Sequence, residues 1–84
     1  MKLKSLNRVC TAICTRYTVR NESGECLDYF TVDYAEKDFP KLNKAILKRF
    51  DLEKQGAEVQ FVDTHFNQVT GKVELHVDCI VKGV

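Results

Sequence analysis

The side chains best suited to acid–base, nucleophilic or metal chemistry are two histidines and four cysteines, namely His65, His76, Cys10, Cys14, Cys26 and Cys79. In the expected register of the second hairpin, described below, His65 faces Val73 and His76 faces Val62. Because neighbouring positions of a strand point to opposite faces, this register puts the two imidazole rings on opposite faces of the sheet. The sequence therefore predicts no metal site or proton relay shared by the two histidines.

The cysteines lack the Cys-x2-Cys pairs that usually place two sulfur ligands on one turn. Cys10 and Cys14 fall on a predicted strand, where a rise of about 3.3 Å per residue separates them by about 13 Å, too far for a shared metal ion or a disulfide. Cys79 is predicted to face the core, and Cys26, beside a turn, is expected to be the most accessible thiol. We therefore expect all four cysteines to act as small apolar residues in the reduced form.

Motifs of common enzyme and cofactor sites are also missing from the sequence. Its two serines do not lie in a Gly-x-Ser-x-Gly elbow, and its four glycines are isolated from one another, so they form no phosphate-binding loop. We therefore expect a protein that is not an enzyme and that binds no cofactor.

Length and composition indicate one folded domain, spanning residues 1–84. Of its 84 residues, 44% are hydrophobic and 30% are charged, and the net charge of +1 is too small for a strongly basic coating protein. Asn7 and Arg8 interrupt the first apolar run, which is shorter than the h-region of a signal peptide. No apolar run approaches the roughly 20 residues that cross a membrane. We therefore expect a cytoplasmic protein that makes no use of a membrane.

Alternating and β-branched residues predict a first β-hairpin over residues 9–34, with strands at 9–20 and 25–34. The turn between them contains Gly24, which adopts a positive φ at little cost. Residues 1–8 are expected either to form a flexible basic tail or to fold over the sheet.

The hydrophobic period then changes to that of a helix, predicted over residues 39–54. Asp38 is the expected N-cap, Pro40 suits the first turn, and Gly56 is the expected C-terminal stop. The apolar stripe of this helix is expected to consist of Phe39, Leu42, Ile46 and Phe50.

A second hairpin is predicted with strands at 57–66 and 72–82. Its last strand alternates clearly between a predicted core face and a polar face that meets water. The core face is expected to consist of Val73, Leu75, Val77, Cys79 and Val81.

These elements predict an α+β fold of order β-β-α-β-β, a two-layer sandwich in which a mainly antiparallel four-stranded sheet carries one helix on one face. One helix leaves the other face of the sheet open, and the first two strands carry apolar residues on both faces. We therefore expect the open face to bind a second copy of the chain, with Cys14, Tyr29 and Thr31 among the contacts.

Charge is segregated along the chain, and the helix carries the basic residues Lys41, Lys44, Lys48 and Arg49. These side chains form either an ordinary solvated face or, with the basic N-terminal segment, a surface for phosphate groups or for an acidic protein.

The leading functional interpretation is a small regulatory or inhibitory protein without catalytic activity, of the accessory type found in bacteria and their viruses. It is expected to be a homodimer and to act by binding another protein. The alternative is a nucleic-acid-binding protein that uses the basic helix and the N-terminal tail. No helix-turn-helix, zinc-finger or ribonucleoprotein signature supports that alternative.

Overall fold

The computed structural model describes residues 1–9 and 12–83. In chain order the elements are helix α1 (Leu3–Val9), strands β1 (Cys14–Arg20) and β2 (Cys26–Asp33), helix α2 (Phe39–Lys54), and strands β3 (Glu58–Asn67) and β4 (Lys72–Ile80). The predicted order β-β-α-β-β is therefore present, with an additional helix before it. The predicted strand position of Cys10 lies outside the described residues.

The four strands form one mixed sheet in the order β2-β1-β4-β3. Each hairpin is antiparallel, but the two central strands, β1 and β4, run parallel. The prediction of a mainly antiparallel sheet is therefore wrong at its centre. Because α2 connects β2 to β3 as a crossover, these two strands run in the same direction, and their hairpin partners must do so as well.

Residues 3–9 form the helix α1. The N-terminal segment is therefore neither a flexible tail nor a cover over the open face of the sheet, and residue 9 belongs to a helix and not to a strand. Leu3 and Leu6, one turn apart, are both buried in the core. The segment is also tied to the start of β3, because the Leu3 N–H donates to the Ala57 carbonyl (2.8 Å) and the Val59 N–H donates to the Met1 carbonyl (2.8 Å). The two helices share one core, so α1 leaves the opposite face of the sheet open.

Helix α2 has the predicted limits, and the Asp38 carboxylate accepts a hydrogen bond from a backbone N–H of the first turn, as an N-cap does. Its predicted apolar stripe is only half correct, because Phe39 and Phe50 are exposed. The buried face is rotated toward Ala45 and Leu52, which pack with Leu42 and Ile46 against the core.

One apolar core lies between the helices and the inner face of the sheet. The Tyr17 and Phe30 rings stack there with centroids 5.0 Å apart. Val77 lies next to Tyr17 on β1 and opposite Val62 on β3. Among residues 1–9 and 12–83, no helix is long and apolar enough to span a bilayer.

The pairing of β3 with β4 contains a β-bulge between Val59 and Phe61. Val59 faces Cys79 as predicted, and Cys79 is buried. Beyond the bulge, the pairing is displaced by one residue from the predicted register. Because the side-chain period of a strand is two, this displacement moves the following β3 side chains to the opposite face.

Candidate functional site

The sheet face that lies away from the helices, called the open face below, is mainly polar. This corrects the expectation of an apolar open face. By the strand registers, its members include Cys14, Arg16, Thr18, Arg20, Tyr29, Thr31, Asp33, Phe61, Asp63, His65, Glu74, His76 and Asp78.

The three predicted contact residues, Cys14, Tyr29 and Thr31, all belong to this side of the sheet. Tyr29 is exposed, and its hydroxyl accepts a hydrogen bond from Nη1 of Arg16 at 3.0 Å. Thr31 is half-buried. Cys14 is buried, so its side chain offers almost no surface to a partner.

A buried carboxylate, Glu74, lies on the open face near the start of the central strand β4 and is only 6% exposed. Its oxygens accept hydrogen bonds from Nε2 of His76 (3.4 Å) and Sγ of Cys14 (3.7 Å), and Nε of Arg16 forms an ion pair at 3.5 Å. Burial alone would raise the pKa of Glu74, but the hydrogen bond from His76 and the positive charge of Arg16 hold it below the usual value. The carboxylate is therefore ionised at neutral pH.

The two histidines lie together on the open face, which contradicts the sequence prediction. His65 pairs with Glu74 and His76 with Asp63, and the two rings stack with centroids 5.2 Å apart. The bulge in β3 brings the two rings to the same face, and no local feature of the sequence predicts this bulge. This cluster of Glu74, His65 and His76 is the one that sequence reasoning missed.

The two buried cysteines, Cys14 and Cys79, are poor nucleophiles. Burial raises the pKa of Cys14 to about 11, with further contributions from Asp33 and Glu74, and burial likewise raises the pKa of Cys79 to about 11. Both side chains are therefore thiols at neutral pH. Cys26 is exposed, as predicted. Within the described part of the chain, no three His, Cys, Asp or Glu side chains come close enough to hold a metal ion.

We expect Glu74→Gln to lower the melting temperature more at pH 7 than at pH 3. A carboxyl whose pKa is lowered on folding stabilises the fold above its unfolded pKa of about 4.3–4.5, and that contribution is lost as the pH falls through the folded pKa. A protonated carboxyl resembles the amide that replaces it, so the effect of the substitution becomes smaller as Glu74 gains its proton. Thermal melts at both pH values measure the difference, and Glu22→Gln in an exposed turn is the control. An effect of Glu74→Gln that is equal at both pH values would contradict the role of the ionised group.

A group of exposed apolar residues also lies on the helix side of the sheet, at the end that the two helices leave uncovered. Phe66 and Val73 face each other across β3 and β4 and are 57% and 61% exposed. Val62 continues the surface along β3, and Ile13 lies beside Val73 in the same shallow depression. These four residues are called the apolar patch below.

Strand β3 is an edge of the sheet, and its outer side is covered only at the start. Residues 1–3 pair there with residues 57–59, and an ion pair of 2.9 Å joins Lys2 to Glu58. Beyond the bulge, residues 61–67 pair only with β4 among the described residues. The strand contains no Lys, Arg or Pro, and beyond the bulge its one acidic residue among the side chains that commonly protect a free edge is Asp63.

The basic residues of α2 do not form one continuous surface. Lys41 lies 3.6 Å from a carboxylate oxygen of Glu36, and Lys48 lies 3.2 Å from one of Asp28. Lys44 is exposed and makes no ion pair with any described residue. Arg49 is directed to the other side of the helix, where its Nη1 donates to the Tyr34 hydroxyl at 2.6 Å. Together with Lys4 and Arg8 of α1, Arg49 lines a separate cleft.

The geometry thus offers a partly free edge strand, an apolar patch beside it and a basic cleft. A comparison with known proteins adds no further constraint on what these surfaces bind. Neither a family model, nor a curated protein, nor a solved structure matches this chain.

Proposed function

We propose that this chain is a small cytoplasmic binding protein without catalytic activity, which forms a homodimer and regulates another protein by contact. The observation that carries this proposal is the free part of the β3 edge, residues 61–67, together with the apolar patch beside it. A free edge of this length binds a further strand through backbone hydrogen bonds. The exposed apolar side chains add the area that such a contact needs.

A second copy of the chain is the occupant that fits this edge best. Two antiparallel β3 strands related by a two-fold axis present the same surface to each other. The bulge and the pairing with residues 1–3 restrict the regular free segment to residues 61–67, whose central residue is Thr64. The longest regular pairing therefore places Thr64 opposite Thr64 of the partner subunit.

This register is also favourable for the side chains. It places Val62 opposite Phe66 of the partner subunit, on the side of the apolar patch, and Asp63 opposite His65 of the partner subunit on the open face. A shift of the axis by one residue would place Asp63 opposite Asp63 of the partner subunit, and like charges in directly opposite positions are destabilising. The two apolar patches become neighbours across the axis.

The proposed interface differs from the one expected around Cys14, Tyr29 and Thr31. Cys14 is buried against Glu74, and the Tyr29 hydroxyl already has Arg16 as a partner. Those residues surround a polar surface, which a regulated protein can contact while β3 holds the homodimer together.

We expect Phe66→Lys to convert the dimer into a monomer without unfolding it. The exposed Phe66 side chain contributes little to the core, but in the dimer the lysine would bury a charge opposite Val62 of the partner subunit. Light scattering after gel filtration at tens of micromolar measures the mass. The control is Val69→Lys, in the turn after β3, where the side chain is 95% exposed and the mass should not change.

A covalent test locates the axis itself. Thr64→Cys in a Cys26→Ser background should form an intersubunit disulfide on mild oxidation, because only residues at the axis face their own copies. Val69→Cys in the same background should not. A wild-type chain that is strictly monomeric, or equal cross-linking at positions 64 and 69, would refute the proposed homodimer.

Nucleic-acid binding is the alternative function. Its proposed surface, Lys41, Lys44, Lys48 and Arg49, is weakened by the ion pairs of Lys41 and Lys48 and by the different direction of Arg49. Each phosphate contact requires a cation that is free to release its counter-ion. Of the four, Lys44 alone is both exposed and without an ion pair to a described residue, so we favour the protein-binding function.

A further inference from the structure

A basic cleft of about 290 Å³ lies between α1, the second half of α2 and the start of the sheet. Its positive side chains are Lys4, Arg8 and Arg49, and Glu53 is the acidic one. Three positive groups and one negative group leave these four side chains with a net charge of +2.

Arg49 is the most constrained of the three cations. Its guanidinium lies over the rings of Tyr34 and Phe50, with its central carbon 5.7 Å and 5.4 Å from the ring centroids, and its Nη1 donates to the Tyr34 hydroxyl. Its Nε is shielded from solvent and has no hydrogen-bond partner among the described residues. No carboxylate of the described residues forms an ion pair with it. A half-buried guanidinium without a counter-ion is costly, because arginine stays charged at all relevant pH values.

The acidic residue of the cleft is already engaged by other groups. An oxygen of Glu53 accepts a hydrogen bond from Nδ2 of Asn7 at 2.8 Å, and Oδ1 of Asn7 accepts one from the Tyr17 hydroxyl at 3.3 Å. Burial raises the pKa of Tyr17 to about 12, so its phenol adds no negative charge to the cleft at neutral pH. The positive charge of the cleft is therefore not neutralised from within the described chain.

We propose that this cleft binds a small phosphate monoester through Arg49, Lys4 and Arg8. A phosphate monoester carries a charge of about −1.5 to −2 at pH 7, which matches the net charge of the four side chains, whereas a monocarboxylate would leave the cleft positive. The guanidinium plane, held by Tyr34 and Phe50, offers the directional donors that phosphate oxygens accept. The volume lies at the lower end of the roughly 300–1,000 Å³ of ligand pockets, which suits a small metabolite rather than a polymer.

Calorimetric titration with inorganic phosphate, glycerol 3-phosphate and acetate in low salt tests the site. We expect both phosphates to bind and acetate to bind more weakly. Arg49→Gln should weaken phosphate binding about tenfold or more, since hydrogen bonds to charged groups are stronger than neutral ones. The phosphate affinity of Arg49→Lys should lie between those of the wild type and Arg49→Gln, because lysine keeps the charge and loses the planar fork of the guanidinium. Lys44→Gln, an exposed position outside the cleft, is the matched control and should bind as the wild type does.

A second variant keeps the test valid if circular dichroism shows that Arg49→Gln fails to fold. Arg8 is exposed on α1, so Arg8→Gln should leave the melting temperature unchanged and still weaken phosphate binding several-fold. The proposal is refuted if phosphate does not bind at millimolar concentration in low salt. It is equally refuted if Lys44→Gln weakens binding as much as the cleft variants do, because the attraction would then be a diffuse effect of surface charge.

Discussion

Val77→Asp is expected to lower the melting temperature strongly, because it places a carboxyl group in the centre of the core. Val77 is 2% exposed and lies between Tyr17 of β1 and Val62 of β3. No described group there is positioned to pair with a charge. The cost of burying such a group is on the order of 4 kcal/mol, a large part of the roughly 5–15 kcal/mol that stabilises a domain. Far-UV circular dichroism during a thermal melt measures the loss.

Val69→Asp is the matched control, because it makes the same change at a side chain that is 95% exposed. We expect it to alter the free energy of unfolding by less than about 0.5 kcal/mol. If the two variants melted at the same temperature, the assignment of Val77 to the buried face of β4 would be wrong.

Leu3→Ala is expected to lower the free energy of unfolding by about 2–5 kcal/mol, the usual cost of truncating a buried leucine. Leu3 has no exposed surface, and its backbone N–H is bonded to Ala57 at the start of β3. The truncation leaves a cavity in the core and loosens the contact of α1 with the rest of the chain. Urea unfolding followed by circular dichroism measures the change in the midpoint.

The same substitution at an exposed leucine separates burial from helix propensity. Leu47→Ala on α2, where the side chain is 63% exposed, should change the free energy of unfolding by less than about 0.5 kcal/mol. Equal effects of Leu3→Ala and Leu47→Ala would mean that residues 1–8 behave as the flexible tail expected from sequence and not as part of the core.

Only part of the candidate surfaces can be predicted from the sequence. Tyr29 and Thr31 lie on the open face as expected, because the alternation of β2 determines which side chains share a face. The stacked pair of His65 and His76 was missed, because one bulge in β3 reverses the faces of all residues that follow it. The absence of Lys, Arg and Pro from β3 is visible in the sequence, but it becomes informative only once β3 is known to be an edge strand.

Sequence by itself determined the elements whose signals are local. The Asp38 cap, Pro40 and the stop at Gly56 define the ends of α2 within a few residues. The alternation along residues 73–81 identifies the buried face of β4, with the exception of Val73, which is exposed. These patterns can be read directly because the interactions behind them join residues that are close in the chain.

Only the tertiary structure decided how these elements combine. The parallel pairing of β1 with β4 follows from the crossover through α2, which connects one edge of the sheet to the other. The sequences of β1 and β4 do not indicate which strand each will pair with. Helix α1 depends in the same way on distant contacts, since Leu3 is buried only because Ala57 and the end of α2 lie over it. The setting of Arg49 between Tyr34 and α1 also joins residues far apart in the chain. A seven-residue helix is marginal in isolation, and so packing against the rest of the domain, rather than local propensity, determines that residues 3–9 are helical.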